Sequence, residues 1–385
     1  MSVKLLLLGL AIPALVHFYV WLRLVRAPHL PRRWSRAATI ALVVLFVAIP
    51  IASTSRLWWP ALGKTLGWVA FPWLAFCGLA AITLLALDVV RLIAWLVRRA
   101  ANRPQPAREV AISRRRFLAG ATAAVAGASV ARGMMSARGD HEVVDVEVPL
   151  AKLPRALDGF TIVQLSDLHT GLTIDRDFVA RVVEQANRLS PDLVALTGDL
   201  VDGPVDALAD DVAPLADLRA RHGVYAVTGN HEYYAGVDDW IAAITKLGAR
   251  YLRNERVAIG EPSASFDLAG VDDHSADAFP GHGMDLAKAT AGRDPSRALV
   301  LLAHQPRQAR AASSFGVDLQ LSGHTHGGQL WPWHYAVMLQ QGGLLAGRYD
   351  VGGTQLYVTR GCGYWGPPVR LLAPLEITRV ILRAA

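Results

Sequence analysis

Residues 194–202 read Val-Ala-Leu-Thr-Gly-Asp-Leu-Val-Asp. A short apolar run that stops at a glycine and then an acid is the pattern of a buried parallel strand. Such a strand delivers a carboxylate to the C-terminal edge of a sheet, where sites form. A lone Gly-Asp pair would serve equally well as an ordinary turn. Four further stretches end in the same way: Asp167 and His169 follow the run 160–165, Asn230 and His231 follow 224–228, His304 follows 298–303, and His324 and His326 follow 317–321. Each delivers an oxygen or nitrogen that a metal ion accepts, which sets Asp199 apart from incidental turn acids.

Outward from this stretch, strand-like and helix-like runs alternate from Asp140 to the end. The pattern predicts an edge strand at 143–148 and buried strands at 160–165, 193–197 and 224–228. Helices are expected at 175–189, 206–220 and 238–247, with further strands at 266–271, 298–302, 317–321, 355–358 and 375–382. Residues 140–385 are therefore expected to form one layered α/β domain with two sheets packed in the middle.

The first part of the chain has a different composition. Up to Asp140 it holds 18 Lys and Arg against 3 Asp and Glu, and the remainder holds 21 against 29, so the overall +7 conceals a basic front and an acidic domain. The positive charge lies between apolar runs at 3–22, 37–52 and 68–97, which excludes a stable nucleic-acid partner and points to the membrane. Each run is apolar enough to cross a hydrocarbon core about 30 Å thick. Residues 1–112 are thus expected to form a membrane domain of three transmembrane helices. Within the spans, His17 is expected to be a hydrogen-bonded packing residue. Asp88 and Arg91 are expected to pair on one helical face, at an interface or toward a partner helix.

Arg23, Arg26, Arg32, Arg33 and Arg36 crowd the first connection, while the second has only Arg56 and Lys64. The third is heavily basic again, with Arg98, Arg99, Arg103, Arg108 and Arg114 to Arg116. Connections one and three are therefore expected in the cytoplasm. Ser-Arg-Arg-Arg-Phe-Leu at 113–118 resembles a twin-arginine export signal, and the Ala- and Gly-rich run after it is expected to remain as a fourth span within 113–139. Whatever follows should lie outside the cytoplasmic membrane. Cys77 and Cys362 are the only cysteines, so no disulfide framework can be drawn and thiolate metal sites are excluded.

Asp, His and Asn without Cys suit Mn, Fe, Zn or Mg rather than a structural zinc knuckle. Asp167 with His169, and His324 with His326, are two residues apart, so in extended backbone both members of a pair would point the same way. The ordered set Asp-x-His (167–169), Gly-Asp-x-x-Asp (198–202), Gly-Asn-His-Glu (229–232), a lone His304 and Gly-His-x-His (323–326) resembles the signature of the calcineurin-like metallophosphoesterase superfamily. The resemblance implies a four-layer α-β-β-α sandwich with two divalent ions, expected to be Mn, Fe or Zn. It implies that Asp167, His169, Asp199 and His326 hold one ion and that Asp199, Asn230, His304 and His324 hold the other. A water between ions about 3.5 to 4 Å apart would then attack phosphorus as hydroxide. His231 resembles the family histidine that protonates the leaving oxygen or stabilises the equatorial ones, and Asp202 and Glu232 are read either as orienting histidines or as capping turns.

Gly198, Gly229 and Gly323 are expected to let the backbone turn sharply before each ligand. His222, His274, His282 and His334 fall outside the motifs. Residues 359–370, rich in glycine, proline and aromatics, resemble a segment of the membrane-anchored and exported members of the superfamily. The expected function is a membrane-anchored metallophosphoesterase, a hydrolase acting on a phosphodiester of lipid or envelope origin outside the cytoplasm. A phosphomonoesterase or nucleotide pyrophosphatase, and a non-catalytic metal-binding membrane scaffold, are the alternatives.

Overall fold

A computed structural model describes residues 3–55, 58–102 and 108–385. Arg56 and Arg103 of the expected basic pattern lie outside the described residues. The chain begins with helices α1 (Val3–Val20), α2 (Arg32–Ser55), α3 (Pro60–Ala100) and α4 (Arg108–Arg138). Strands β1 (Glu142–Leu150) and β2 (Thr161–Leu165) follow, then α5 (Arg176–Arg188), β3 (Leu193–Leu196), α6 (Val205–Val212) and β4 (Val224–Ala226). Next come α7 (Asn230–Ala235), α8 (Val237–Lys246), β5 (Ala249–Tyr251), β6 (Glu255–Glu261), β7 (Ala264–Gly270) and α9 (Leu286–Thr290). The chain closes through β8 (Leu299–Leu302), α10 (Ala309–Ala312), β9 (Leu319–Ser322), α11 (His334–Gln340), β10 (Gly347–Val351), β11 (Thr354–Val358) and β12 (Glu376–Ala384).

By internal contacts the chain divides into two units, Met1–Met135 with Gly366–Val369, and Ser136–Trp365 with Arg370–Ala385. In the first, three helices among the described residues are long and apolar enough to cross a membrane: Arg32–Ser55, Ala61–Ala100 and Ile112–Arg138. Residues 113–118 lie within the last of them, in helix α4. Helices α2 and α3 pack through Ile49, Ala52 and Ala70, while Val43, Val44, Val47, Leu85 and Val89 face outward, as lipid contact requires. His17 is a packing residue: Trp73 Nε1 donates to its Nε2 at 2.9 Å and its Nδ1 meets Pro13 O at 2.7 Å. Asp88 pairs with Arg91 at 3.3 Å, and also with Arg23 and the Tyr19 hydroxyl.

The second unit is built on two six-stranded sheets, in the orders β1-β12-β2-β3-β4-β5 and β10-β11-β9-β8-β7-β6. Val163, Leu165, Val194 and Leu196 of the first sheet pack with Phe178, Val182 and Trp240 of the helices on its outer face. Ile162, Leu193 and Val380 meet Phe266, Leu268, Val300 and Leu319 between the sheets. Leu286 and Ala289 of α9 cover Leu299 and Leu301 on the far side. Period-two alternation thus sends each strand's side chains into two different cores, which is why β3 (Leu-Val-Ala-Leu) and β8 (Leu-Val-Leu-Leu) read as unbroken apolar runs. Strands β2, β3, β4 and β5 are mutually parallel, as are β7, β8, β9 and β11.

The helix expected at 206–220 stops at Val212 and tightens into a 3₁₀ turn over Ala213–Asp217. Pro214 cannot donate to the preceding turn, which ends the α-helix there. Strands β5, β6 and β10 carry too little apolar periodicity to have been expected.

Candidate metal centre

Strands β2, β3 and β4 of one sheet and β8 and β9 of the other end at a common edge. Just beyond their last residues lie Asp167, His169, Asp199, Asn230, His304, His324 and His326. Among the described residues, three overlapping groups have ligand atoms within 4.8 Å of one another: Asp167, His169 and His326; His169, Asp199 and His231; and Asp199, His304 and His324. Six of the seven residues expected to hold metal therefore gather in one cluster, with His231 among them; the seventh, Asn230, directly precedes His231 in the chain.

Asp199 joins the groups. Its Oδ2 is 3.7 Å from His169 Nε2 and 3.0 Å from His304 Nε2, while its Oδ1 accepts the His231 backbone N–H at 2.9 Å. His169 Nε2 and His326 Nε2 face each other at 3.0 Å, and His304 Nε2 and His324 Nδ1 at 3.2 Å. Asp167 lies 3.6 Å from His326 Nε2 and accepts the His324 N–H at 2.9 and 3.0 Å.

The residues present fit a pair of cations. Asn230 Oδ1 is buried with no hydrogen-bond partner, a costly state for an amide oxygen unless a cation completes it. The donor set of two carboxylates, four imidazoles and one amide, all O or N, suits borderline or hard ions.

Extended backbone is not what aims these side chains. Asp167, His169, Asp199, His324 and His326 all have positive φ, from 51° to 73°. This left-handed conformation costs of order 1 to 3 kcal/mol per residue and persists only where the surroundings impose it. Here Asp167 N donates to Gly198 O and His169 N to Asp199 O, each at 3.0 Å, so the two loops lock one another. Nor do all three glycines provide sharp turns. Gly198 has φ +89°, but Gly229 and Gly323 are required by space: a Cβ on Gly229 would strike Asp199 Oδ1, and one on Gly323 would strike Ser166 Oγ and Asp167 Oδ2.

Asp202 Oδ1 accepts from His169 Nδ1 at 2.8 Å and from His231 Nδ1 at 2.7 Å, so this carboxylate orients both rings. Burial alone would raise its pKa, but the two imidazoles hold it well below the usual carboxylate range. Burial would lower His231 in turn, yet Asp199, Asp202 and Glu232 push it up to about 9. Glu232 orients no histidine. It accepts the backbone N–H groups of Gly229, Asp199 and Leu200 at 2.6, 3.0 and 2.6 Å, tying two ligand loops together. Burial and the neighbouring Asp199 push its carboxyl up to about 7.

Of the other histidines, His222 packs on Phe160, His334 on Tyr335, and His282 on Tyr233 beside Arg253, while His274 is exposed. Sequence reasoning passed over Arg370. It is 1% exposed, and its guanidinium donates to the carbonyls of His326, Gly363 and Arg360 and meets His326 Nδ1 at 3.1 Å. The available signal was its isolation, as the one charged residue between Arg360 and Glu376.

The sequence model described as calcineurin-like phosphoesterase matches residues 160–328, which run from the start of β2 to just past His326. A Danio rerio protein named transmembrane protein with metallophosphoesterase domain is 40% identical over 262 residues, covering 66% of this chain and 60% of its own length. An uncharacterized metallophosphoesterase of Aquifex aeolicus is 35% identical over 235 residues, covering 60% of this chain and 88% of its own. The uncharacterized metallophosphoesterase YkuE of Bacillus subtilis is 31% identical over 293 residues, covering 71% and 98%. The chain spans about 60% of the length of its vertebrate relative and nearly all of the bacillar one. Agreement at this level over 88% and 98% of two bacterial relatives, with the family model matching residues 160–328, makes this chain a member of the calcineurin-like metallophosphoesterase family.

Proposed function

We propose that the chain is a membrane-anchored hydrolase of a phosphodiester, of lipid or cell-envelope origin, acting outside the cytoplasmic membrane. In this reading residues 1–112 are a membrane domain, 113–139 a twin-arginine-like segment forming a further span, and 140–385 the catalytic domain. The observation that carries it is Asp199 Oδ2, one oxygen facing both His169 Nε2 and His304 Nε2.

Asp167, His169, Asp199 and His326 would hold one divalent cation, and Asp199, Asn230, His304 and His324 the other. When bound, such a pair polarises a phosphoryl oxygen and acidifies a water for attack on phosphorus. The remaining work belongs to the protein's own groups. With Nδ1–H of His231 donated to Asp202, its Nε2 can hold a proton, and in the metal-free protein the surrounding carboxylates raise its pKa. His231 then delivers that proton to the leaving alkoxide, and Asp202 keeps it and His169 in the required tautomers. Glu232 fixes the backbone on both sides of Asp199, so the shared carboxylate keeps its direction.

The full chain in detergent should hydrolyse bis(4-nitrophenyl) phosphate with manganese, and lose this on chelation or with Asp199→Asn. Absence of turnover with every divalent ion, while wild type and variant bind metal alike, would favour the scaffold. For the orientation, a reporter fused after Ala385 should be active only outside the cytoplasm, and cytoplasmic activity would reject it.

A further inference from the structure

Residues 329–346, which follow His326 and Gly328, contain no Asp, Glu, Lys or Arg. They form an excursion whose Trp331, Trp333, Tyr335 and Leu339 are between 46% and 83% exposed. A second stretch, residues 365–372, lies beside it, and its one charged residue, Arg370, is buried. Trp365 N donates to Gln329 Oε1 at 3.0 Å, and Gln329 Nε2 donates to Trp365 O at 2.9 Å. Leu330 bridges Leu371, and Trp331 N donates to Leu371 O at 3.2 Å. Trp365 and Leu372 are 57% and 79% exposed. These six side chains form an apolar rim, and they account for most of the exposed large apolar side chains of the second unit; Val143, Tyr234 and Phe315 are the others among the described residues. The rim borders the metal centre, because the Trp365 ring lies 5.8 Å from that of His231.

We infer that this rim is a docking surface for a phospholipid bilayer, with Trp331, Trp333, Tyr335, Leu339, Trp365 and Leu372 seated at the headgroup–acyl boundary. Tryptophan and tyrosine prefer that depth, where the ring is buried and its polar edge stays wet. The chain supplies the occupant: it carries helices long and apolar enough to span a bilayer. Only three residues, 139–141, separate the end of α4 from β1, and three residues reach at most about 10 Å. The chain beyond Asp140 has 21 basic against 29 acidic residues, so its net charge supplies no attraction to anionic headgroups. Docking by apolar insertion needs exposed, uncharged side chains, and the rim supplies them. The inference stands apart from the proposed hydrolysis, because it requires no turnover.

The test uses the full chain in nanodiscs of palmitoyl-oleoyl phosphatidylcholine, with nitroxide labels at Leu339→Cys, Leu372→Cys and, as control, Arg188→Cys on α5. Cys77 and Cys362 are buried, so unmodified protein reports background labelling. All three positions are exposed, and none belongs to the metal centre. Rim labels should collide more with oxygen, which concentrates in lipid, than with an aqueous nickel chelate, and the control should show the reverse. Rim labels as open to the chelate as the control would overturn the inference. So would labels shielded from both reagents, the signature of a second copy or another protein on the rim.

Discussion

Replacing Asp202 by Asn tests the link between the carboxylates and His231 with little change in shape. The carboxylate holds His231 Nδ1 at 2.7 Å and His169 Nδ1 at 2.8 Å, and Asn keeps one acceptor but no charge. The rise of His231 from 6.5 to about 9 corresponds to about 3 kcal/mol in favour of the cation. A hydrogen bond to a charged group contributes about 1.5 to 3 kcal/mol against about 1 for a neutral one, so losing the charge while keeping an acceptor should bring the His231 pKa down by about one unit, to roughly 8, in the metal-free protein. Because the folded value is raised, the stability it contributes is complete below pH 6.5 and disappears as pH rises through about 9. The deficit of the variant should therefore be largest near pH 6 and shrink above pH 9. Ring NMR of histidine-labelled, metal-free full chain, with His231→Gln for assignment, measures the titration directly. An unchanged His231 midpoint in Asp202→Asn would refute the reasoning. With metal added, the wild-type midpoint should fall, because cations on Asp199 offset the carboxylate that raises it.

Two further substitutions separate proton transfer from metal holding. His231→Ala should keep both cations by metal analysis yet lose on the order of 10²-fold or more in rate toward a soluble phosphodiester; parent-like rates would remove His231 from the mechanism. Gly323→Ala forces a Cβ against Ser166 Oγ and Asp167 Oδ2, so it should cost about 1 to 3 kcal/mol in stability. It should also weaken the Asp167 cation at least about tenfold, read by calorimetric titration, and unaltered binding would show that the loop has slack.

The strands that reach the centre were legible because a doubly buried parallel strand leaves an apolar run, and the residue beyond it is where the sheet edge opens. Val194 to Asp199 shows both signals within six positions. What stayed hidden has physical reasons. The left-handed backbone at Asp167, His169, Asp199, His324 and His326 is held by hydrogen bonds between loops far apart in sequence; Asp and His tolerate that conformation better than most residues, but the tolerance does not say where it is used. Arg370 works through carbonyls on both sides of it and on the His326 loop, partners that exist only after folding. Glu232 stands beside histidines in sequence, but its oxygens turn to backbone N–H groups of Gly229, Asp199 and Leu200. The apolar character of residues 329–346 was visible, but not its exposure, since a charge-free stretch reads equally as core.

Electron paramagnetic resonance of the full chain titrated with manganese tests most directly whether two cations share Asp199. Two equivalents should give the spectrum of a spin-coupled pair, as ions about 3.5 to 4 Å apart require, and Asp199→Asn should abolish the coupling. Isolated, uncoupled manganese at every loading would contradict the shared carboxylate and the two-cation centre built on it.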